Sequence, residues 1–320
     1  MKVAFAGIFA GQVADRVRAR LRIPCEVTLT DDRDIGPSFG DIDVLVSMAF
    51  TREMAAAAPR LRLVQVPGAG LDRIDRTALA PGTALANAYG HDIGIAEYVI
   101  GAMLAVTRTF SRVDADLRQG RWDSVWSGAP VPLWPELAGK TLAILGYGRI
   151  GQAVARRALA FDMDVLAIRR DASGPDPLGL AFVRGPAALD DVLARADYLA
   201  ITLALTAETR GLIGARQLAL MKPTAVLINV ARGEVVDEDA LYEALHHGTI
   251  AGAALDVWYR YPADGAPTLP GHRSFHELPN VLMTPHVSGW TEGMMDARAG
   301  VIAENIHRTA RGEAPVNLVR

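Results

Sequence analysis

The feature that most constrains this chain is an apolar strand that runs directly into three closely spaced glycines and then into a helix. Leu142–Leu145 has the continuous apolar pattern of a buried strand. Gly146, Gly148 and Gly151 follow it at once, and the residues after them repeat apolar side chains at helical spacing. A strand that passes through a tight turn into a helix predicts a βαβ unit, and hence a parallel sheet covered by helices.

The spacing of these glycines, G-x-G-x-x-G, is typical of a loop that binds the pyrophosphate of a dinucleotide. Gly146 permits the turn, Gly148 lets the backbone approach the phosphates, and Gly151 lets the helix pack closely on the strand. Backbone N–H groups at the helix start, near Arg149 and Ile150, are expected to hold the phosphate charge. An ordinary glycine-rich turn is the alternative, since the chain contains 30 glycines, but the flanking strand and helix favour dinucleotide binding.

Short apolar strands alternate with amphipathic helices along the whole chain, which predicts an α/β fold. A length of 320 residues suits two domains. We predict two Rossmann-like or flavodoxin-like parallel-sheet domains with a cleft between them: a substrate-binding domain from 1–97 and 289–320, and an NAD(P)-binding domain from 98–288. The predicted strands are Val3–Ala6, Val44–Met48, Leu63–Val66, Leu142–Leu145, Val165–Ile168, Tyr198–Leu203, Ala225–Val230, Gly252–Asp256 and Val281–Thr284. The predicted helices include Gln12–Leu21, Arg52–Ala58, Ile93–Phe110 and Thr291–Arg311, and Gln119–Pro135 is predicted to cross between domains.

Composition and charge argue against several classes of protein. The net charge of −3 provides no basic face, so nucleic acid is not expected as a partner. The longest apolar stretch, Tyr98–Thr107, has about half of the roughly 20 residues that a membrane span needs, so no membrane partner is expected. Cys25 is the only cysteine, which suits a reducing, cytoplasmic location. The histidines show no spacing that predicts a metal site.

The end of the second strand of this unit indicates which dinucleotide binds. In NAD-binding folds an acidic residue about 20 residues beyond the glycines bonds the adenosine ribose. Here the strand ends in Arg169 and Arg170, and Asp171 comes two residues late. Guanidinium groups at this place can pair with a 2′-phosphate, which favours NADP, with NAD as the other possibility. The alternative is that both arginines are solvated surface charges.

Three further segments end strands of the same unit, where open α/β sheets bind ligands. They are Ile228–Gly233, Ala254–Trp258 and Thr284–Gly289. Together with the glycine loop they resemble the D-isomer-specific 2-hydroxyacid dehydrogenase family, of the glyoxylate or hydroxypyruvate reductase type. The resemblance extends over nearly the whole chain through Val66–Asp72, Ile95–Tyr98 and Thr206–Gly211.

The resemblance implies an oxidoreductase that interconverts a 2-keto acid and a D-2-hydroxy acid by hydride transfer. It assigns Arg232 to the grip on the substrate carboxylate, which suits a planar guanidinium with five donors. It assigns His286 to acid–base catalysis, which suits a pKa of about 6.5, and it places backbone N–H groups of Ala69 and Gly70 on the substrate carboxylate. The alternatives are a surface arginine and a structural histidine. The further cofactor positions that it implies are Leu203, Thr209, Val230, Asp256, Ser288 and Gly289.

One position departs from the family pattern. A glutamate that normally pairs with the histidine follows the Asp256 position by five residues, and here that position holds Tyr261. A tyrosine hydroxyl can orient His286 but brings no negative charge. We predict either a lower working pH for reduction or the recruitment of another carboxylate from the following stretch, where Asp264 and Glu277 are the acids.

Aromatic residues cluster around this stretch, which is longer than the usual connection in the family. Packing in a core or in a dimer interface is the first interpretation, and selection of a larger or apolar 2-substituent is the second. The aromatics are Trp258, Tyr259, Tyr261 and Trp290.

Three functions remain open from the sequence. The first is an NADP-preferring 2-keto acid reductase, and the second is a dehydrogenase of the phosphoglycerate, formate or phosphite type on the same scaffold. The third is an NAD(P)-sensing binding protein, which the missing glutamate favours and which Arg232 and His286 oppose; fold alone does not choose among them. The resemblance also implies a homodimer, with the apolar helix near 93–110 as its candidate interface.

Overall fold

A computed structural model describes residues 1–32, 39–128, 131, 133–263 and 265–319 of the chain. The chain forms two compact units, one made of Met1–His91 with Trp290–Arg320 and the other made of Asp92–Gly289. Each unit contains a parallel β-sheet with helices between its strands. The alternation of strands and helices in the sequence predicts this architecture, and the α/β fold class is confirmed.

The strands and helices are labelled here in chain order. The strands are β1 (Lys2–Ala6), β2 (Glu26–Thr30), β3 (Val44–Ser47), β4 (Leu63–Gln65), β5 (Ala84–Ala86), β6 (Thr141–Leu145), β7 (Asp164–Ile168), β8 (Phe182–Arg184), β9 (Tyr198–Ile201), β10 (Val226–Asn229), β11 (Gly252–Leu255) and β12 (Val281–Met283). The helices are α1 (Ile8–Arg18), α2 (Arg52–Ala57), α3 (Asp92–Thr107), α4 (Phe110–Arg118), α5 (Arg149–Ala160), α6 (Leu189–Arg195), α7 (Ala215–Leu220), α8 (Glu238–His246) and α9 (Glu292–Arg311).

The sheet of the first unit has the order β2-β1-β3-β4-β5. β1 and β3 are buried along nearly their whole length, as continuous apolar sequences predict for the inner strands of a parallel sheet. One core contains Phe5 from the sheet, Val13 from α1 and Ile302 from α9. A second core contains Leu45 from the sheet and Met54 from α2. The first unit therefore has its own hydrophobic interior.

The sheet of the second unit has the order β12-β11-β10-β9-β6-β7-β8. β6 pairs with β7 on one side and with β9 on the other, so the strand order reverses at β6. Such a reversal opens a crevice at the carboxyl ends of the central strands, and ligands of open α/β sheets bind there. The strand ends that this geometry brings to one edge are Leu145, Ile168, Ile201, Asn229, Leu255 and Met283.

Three strands, β2, β5 and β8, were not expected from the sequence. All three lie at an edge of their sheet. An edge strand has a neighbour on one side only and buries fewer side chains, so its sequence carries a weaker apolar signal. In β2, for example, no residue is fully buried.

The long apolar helix predicted over Ile93–Phe110 is divided in two. α3 ends at Thr107, and Thr109 adopts a left-handed conformation with φ of 47° before α4 begins. The apolar residues of α3, such as Val99 and Met103, lie in the core of the second unit. Among the described residues no single helix is long and apolar enough to cross a membrane, although α3 and α4 meet that test as a pair bent by 57°.

Candidate active site

Steric contacts explain two of the three glycines in the loop after β6. Gly146 has φ of +105°, and a Cβ there would lie 2.8 Å from the backbone carbonyl of Thr202. A Cβ on Gly151 would lie 2.3 Å from the carbonyl oxygen of Gly146, which is far inside van der Waals contact. Gly148 differs, because its Cβ would meet no atom within 4 Å. Its hydrogen atom therefore leaves open space beside the first turn of α5, where N–H groups attract anions.

Hydrogen bonds fix the path of the glycine loop. The backbone N–H groups of Gly146 and Tyr147 both donate to the carbonyl of Ile168, at 2.9 and 3.1 Å. The Thr202 hydroxyl donates to the carbonyl of Gly146 at 2.6 Å. The Tyr147 hydroxyl donates to Asp176 at 2.7 Å, and desolvation raises its pKa. The loop is thus attached both to the neighbouring strands and to the segment that follows β7.

The two arginines at the end of β7 have different surroundings. The guanidinium of Arg169 donates to backbone carbonyls of its own loop, those of Pro175 at 3.2 Å, Ala172 at 3.4 Å and Gly174. Arg170 is exposed. The Thr206 hydroxyl is the main cause of the lowered pKa of Glu208, and the charge of Arg170 adds to it. Arg169 therefore holds the loop in shape, whereas Arg170 presents its charge at the surface.

Asp256, at the carboxyl end of β11, is fully buried and accepts three hydrogen bonds. The Thr284 hydroxyl donates to Oδ1 at 2.6 Å, as does the backbone N–H of Val287 at 2.8 Å. The backbone N–H of Ser288 donates to Oδ2 at 2.8 Å. A carboxylate with this many donors is well stabilised without a counter-cation. Asp256 therefore fixes the turn after β12.

That turn contains His286, which has a left-handed backbone with φ of +59°. This conformation is uncommon for residues other than glycine and carries strain that surrounding bonds must offset. The Asp256 carboxylate supplies those bonds on both sides of the histidine, through Thr284 and Ser288. Tyr98 adds a further hydroxyl contact with Thr284 at 2.7 Å, and its burial raises its own pKa to about 12. Tyr98 was not among the predicted site residues, although it lies in one of the segments that resemble the family.

Tyr261 lies beside the imidazole of His286. Its hydroxyl oxygen is 2.9 Å from Nδ1 of His286, and it also accepts the backbone N–H of Trp258 at 3.2 Å. The Trp258 indole in turn donates to the carbonyl of Thr284 at 2.8 Å. Desolvation by the surrounding protein lowers the pKa of His286; the charge of Asp256 acts in the opposite direction. Glu277, one of the two acids considered as a substitute, is exposed beside His276, and Asp264 lies outside the described residues.

Arg232 follows β10 and belongs to the same group. Its guanidinium donates to the carbonyl of Ala231 at 2.8 Å, and Asn229 binds the carbonyl of Arg232 at 2.9 Å. Desolvation is the main cause of the lowered pKa of His286, and the positive charge of Arg232 adds to it. Desolvation raises the pKa of Tyr261, and the charge of Arg232 partly opposes that shift. The strand ends of β10, β11 and β12 thereby bring together a guanidinium, a carboxylate, a phenol and an imidazole.

The other predicted positions in the second unit have structural contacts of their own. Thr209 closes the turn after β9, because its hydroxyl accepts the N–H of Thr206 at 2.8 Å and contacts the carbonyl of Ala204 at 2.8 Å. Val230 is buried in the core behind the sheet. The remaining positions lie at strand ends or in the following turns, at Leu203, Ser288 and Gly289.

The predicted substrate loop lies in the first unit, after β4. The side-chain amide of Asn87 donates to the carbonyl of Ala69 at 3.0 Å, and the N–H of Ala88 donates to the carbonyl of Gly68 at 3.1 Å. Since both carbonyls are bound to the segment after β5, the loop that contains Ala69 and Gly70 has a fixed path. Met48 packs beside it, 3.2 Å from where a Cβ of Gly68 would stand.

Two of the four aromatic residues considered in the sequence lie in a protein core. Trp258 and Tyr259 pack against Phe275 in the core of the second unit, as core packing requires. Tyr261 remains 48% exposed beside the histidine, and Trp290, in the first unit, is 46% exposed. Core packing therefore accounts for two of the four aromatics and not for the other two.

This chain is similar in sequence to proteins of known function. A model of the D-isomer specific 2-hydroxyacid dehydrogenase NAD binding domain matches residues 100–288. A D-3-phosphoglycerate dehydrogenase of Methanocaldococcus jannaschii is 38% identical over 291 residues, which cover 87% of this chain but only 52% of that protein. A glyoxylate reductase of Korarchaeum cryptofilum is 37% identical over 287 residues, covering 87% of this chain and 83% of the relative.

A solved structure gives the same result in three dimensions. The NADPH-dependent glyoxylate/hydroxypyruvate reductase of Sinorhizobium meliloti, in complex with NADP and malonate, superposes with a TM-score of 0.81 at 31% identity. The match covers 99% of this chain and 96% of that chain. This chain is therefore an oxidoreductase that belongs to the D-isomer-specific 2-hydroxyacid dehydrogenase family.

Proposed function

We propose that this protein reduces a 2-keto acid to a D-2-hydroxy acid and prefers NADPH to NADH. The proposal rests above all on the arrangement after β10, β11 and β12, where Arg232 stands near a histidine that Asp256 and Tyr261 hold in place. When bound, the nicotinamide cofactor supplies the hydride for reduction. The protein has to bind the acid, polarise its carbonyl and deliver a proton.

Arg232 is the proposed grip on the substrate carboxylate and carbonyl. A guanidinium has five N–H donors in a rigid plane, so the bond to the carbonyl of Ala231 orients the side chain and is compatible with a bidentate contact to a ligand. Backbone N–H groups of the Ala69–Gly70 loop are proposed to bind the same carboxylate. Their position is supported by the bonds that fix this loop through Asn87.

His286 is the proposed acid in reduction and base in oxidation. Its Nδ1 faces Tyr261, so Nε2 is the nitrogen proposed to exchange a proton with the substrate oxygen. The protein covers part of the ring and desolvates it, while the rest of the residue stays open to solvent, as a group that must reach a substrate requires. Its lowered pKa means that it is mostly neutral near pH 7, which favours proton removal and limits reduction to more acidic solution.

The preference for NADPH is proposed to come from Arg170. The glycine loop accounts for the pyrophosphate of either cofactor, and the nearest acid, Asp171, is engaged with Ser173 through its side chain. Because Arg169 is bound to its own loop, Arg170 is the cation proposed to meet a 2′-phosphate. The reductase of Sinorhizobium meliloti with bound NADP supports this choice.

A homodimer is the proposed assembly. Its proposed interface contains the exposed apolar residues Trp126 and Leu133, which follow α4. Most apolar residues of α3 lie in the core of the second unit. By contrast, Trp126 is 86% exposed and Leu133 is 97% exposed. Exposed apolar patches of this kind mark interaction surfaces. A double variant, Trp126→Asp with Leu133→Asp, is expected to halve the mass measured by light scattering; a wild-type monomer would contradict the proposal.

The central experiment is steady-state oxidation of NADPH and NADH with glyoxylate, hydroxypyruvate, pyruvate and 3-phosphohydroxypyruvate. We expect turnover with at least one of these acids, a D-configured product, and a higher kcat/KM with NADPH. His286→Ala serves as the matched control and is expected to abolish most of the turnover. Binding of NADPH without turnover of any acid would favour a sensing protein instead.

A further inference from the structure

Arg298 is a buried cation on α9. Among the described residues its guanidinium faces an aromatic ring and has no carboxylate partner. The residue is 8% exposed, and its Nε has no hydrogen-bond partner among the described residues. Its guanidinium carbon lies 5.1 Å from the centre of the Phe9 ring. Desolvation lowers the pKa of Arg298 to about 10, and no described carboxylate offsets that effect.

An arrangement of this kind is costly for a folded protein. Buried charges are normally paired, since an ionised group loses its hydration and requires compensation. An aromatic ring attracts the face of a guanidinium but accepts none of its N–H bonds. Those bonds leave from the edge of the guanidinium plane, where carboxylates and phosphates bind in a bidentate manner. The contact with Phe9 therefore does not supply the anion that a buried guanidinium requires.

The surroundings of Arg298 lie at the carboxyl edge of the first unit's sheet. Phe9 lies in the first turn of α1, which follows β1. Trp290 packs edge-on against it with 5.3 Å between ring centres. On α9, the neighbouring Ala297 touches the backbone after β5, since a Cβ on Gly90 would lie 2.6 Å from the Cβ of Ala297. Parallel strands end at one edge, so this cluster lies at the same edge as the loop after β4.

That loop is the one proposed to bind the substrate carboxylate. It contains Ala69, whose carbonyl accepts the amide of Asn87 from the segment after β5. The same segment continues to Gly90, which packs on α9 beside Arg298. A short run of backbone contacts thus connects the Ala69 loop with the buried guanidinium.

We propose that Arg298 binds a second anionic group, a carboxylate or a phosphate, at the far end of the substrate, and that Phe9 and Trp290 line the approach to it. This inference rests on the proposed function and narrows its substrate class to 2-keto acids that carry a second anionic group. The partly exposed Trp290 then contacts the carbon chain between the two anionic groups. This role would account for an aromatic side chain that is 46% exposed to water.

The test compares pairs of substrates in which one member carries a distal anionic group and the other does not. One pair is 2-oxoglutarate and 2-oxopentanoate, and the second pair is 3-phosphohydroxypyruvate and hydroxypyruvate. We expect the wild type to favour the member with the second anionic group in at least one pair, measured by kcat/KM, and the pair that shows this preference identifies carboxylate or phosphate. In Arg298→Met the ratio of kcat/KM between the two members of that pair is expected to fall at least tenfold. Arg298→Lys is expected to keep part of the preference. Arg311→Met, on the last turn of the same helix, is the matched control and should leave the ratio as it is.

Two further readouts separate this inference from a structural role and from the proposed function. Because Arg298→Met removes a buried charge without a described partner, its Tm in the absence of ligand is expected to equal or exceed that of the wild type. A lower Tm together with an unchanged ratio would overturn the inference and indicate an internal partner. If no acid is turned over, the proposed function fails, while calorimetric binding of 2-oxoglutarate and 3-phosphohydroxypyruvate to wild type and Arg298→Met still tests Arg298. Equal binding of each acid by both proteins would then overturn it.

Discussion

The hydroxyl oxygen of Tyr261 lies 2.9 Å from Nδ1 of His286, where a carboxylate would hold the imidazole in its charged form. A phenol can donate to a neutral imidazole or accept from a charged one, so it favours neither state strongly. Desolvation then dominates and lowers the pKa of His286. Tyr261 therefore orients the imidazole but supplies no negative charge, whereas a glutamate would do both.

Tyr261→Glu is therefore expected to raise the pKa of His286. Reduction needs the charged imidazole, so its rate falls as pH rises through this pKa, and a higher pKa extends reduction to higher pH. A carboxylate beside the ring is expected to move the alkaline limit of kcat/KM up by about one pH unit or more. Tyr261→Phe is the control, which should lower kcat without moving that limit upward. An unmoved limit in Tyr261→Glu would contradict the interpretation.

Removal of His286 tests the proton-transfer step itself. His286→Ala is expected to lower kcat by about 10²–10⁴-fold, the usual contribution of general acid–base catalysis. The limb of the pH–rate profile that titrates in the wild type should also disappear. Retention of that limb in the variant would assign the titration to another group.

The Asp256 carboxylate is expected to contribute to stability as well as to the site. Asp256→Ala leaves the Thr284 hydroxyl and the N–H groups of Val287 and Ser288 without their acceptor, which should cost about 3 kcal/mol in the free energy of unfolding. Asp256→Asn keeps one acceptor oxygen and should cost less. Urea unfolding measures both. Wild-type stability in Asp256→Ala would show that water replaces these bonds.

Two substitutions in the glycine loop should separate folding from cofactor binding. Gly151→Ala forces a Cβ against the carbonyl oxygen of Gly146, so we expect a lower Tm and weak NADPH binding. Gly148→Ala meets no protein atom, so its Tm should match the wild type while the KM for NADPH rises. An unchanged KM in Gly148→Ala would mean that the pyrophosphate does not approach this glycine.

The arginine pair after β7 offers a matched comparison for cofactor choice. Arg170→Ala removes an exposed charge, so we expect an unchanged Tm and a fall of about 10-fold or more in the NADPH:NADH ratio of kcat/KM, as the loss of one charge-assisted contact implies. Arg169→Ala removes the donor to the carbonyls of Ala172, Gly174 and Pro175. This variant should have a lower Tm and should bind both cofactors more weakly. If only Arg169→Ala changed the NADPH:NADH ratio, Arg169 rather than Arg170 would be the residue that contacts the 2′-phosphate.

Local sequence predicted the inner strands and the glycine turn because each depends on neighbours in the chain. A buried parallel strand needs a continuous apolar run, and the tight turn into α5 needs glycine at Gly146 and Gly151. The unpredicted strands β2, β5 and β8 are edge strands. They are short or partly exposed, so their sequences carry a weak apolar pattern. The end of α3 was misplaced because the left-handed turn at Thr109 follows no glycine or proline.

The alternation of strands and helices, the dinucleotide loop and the residue types at the ends of the later strands can be read from the sequence alone. Which of these side chains meet depends on how distant parts of the chain fold together. Tyr261 and His286 are 25 residues apart and come together because β11 and β12 are adjacent and parallel. The burial of Arg298 against Phe9 likewise depends on the packing of α1 and α9, which are distant in the chain. Such contacts are set by the packing of distant segments, and no local pattern of residues contains them.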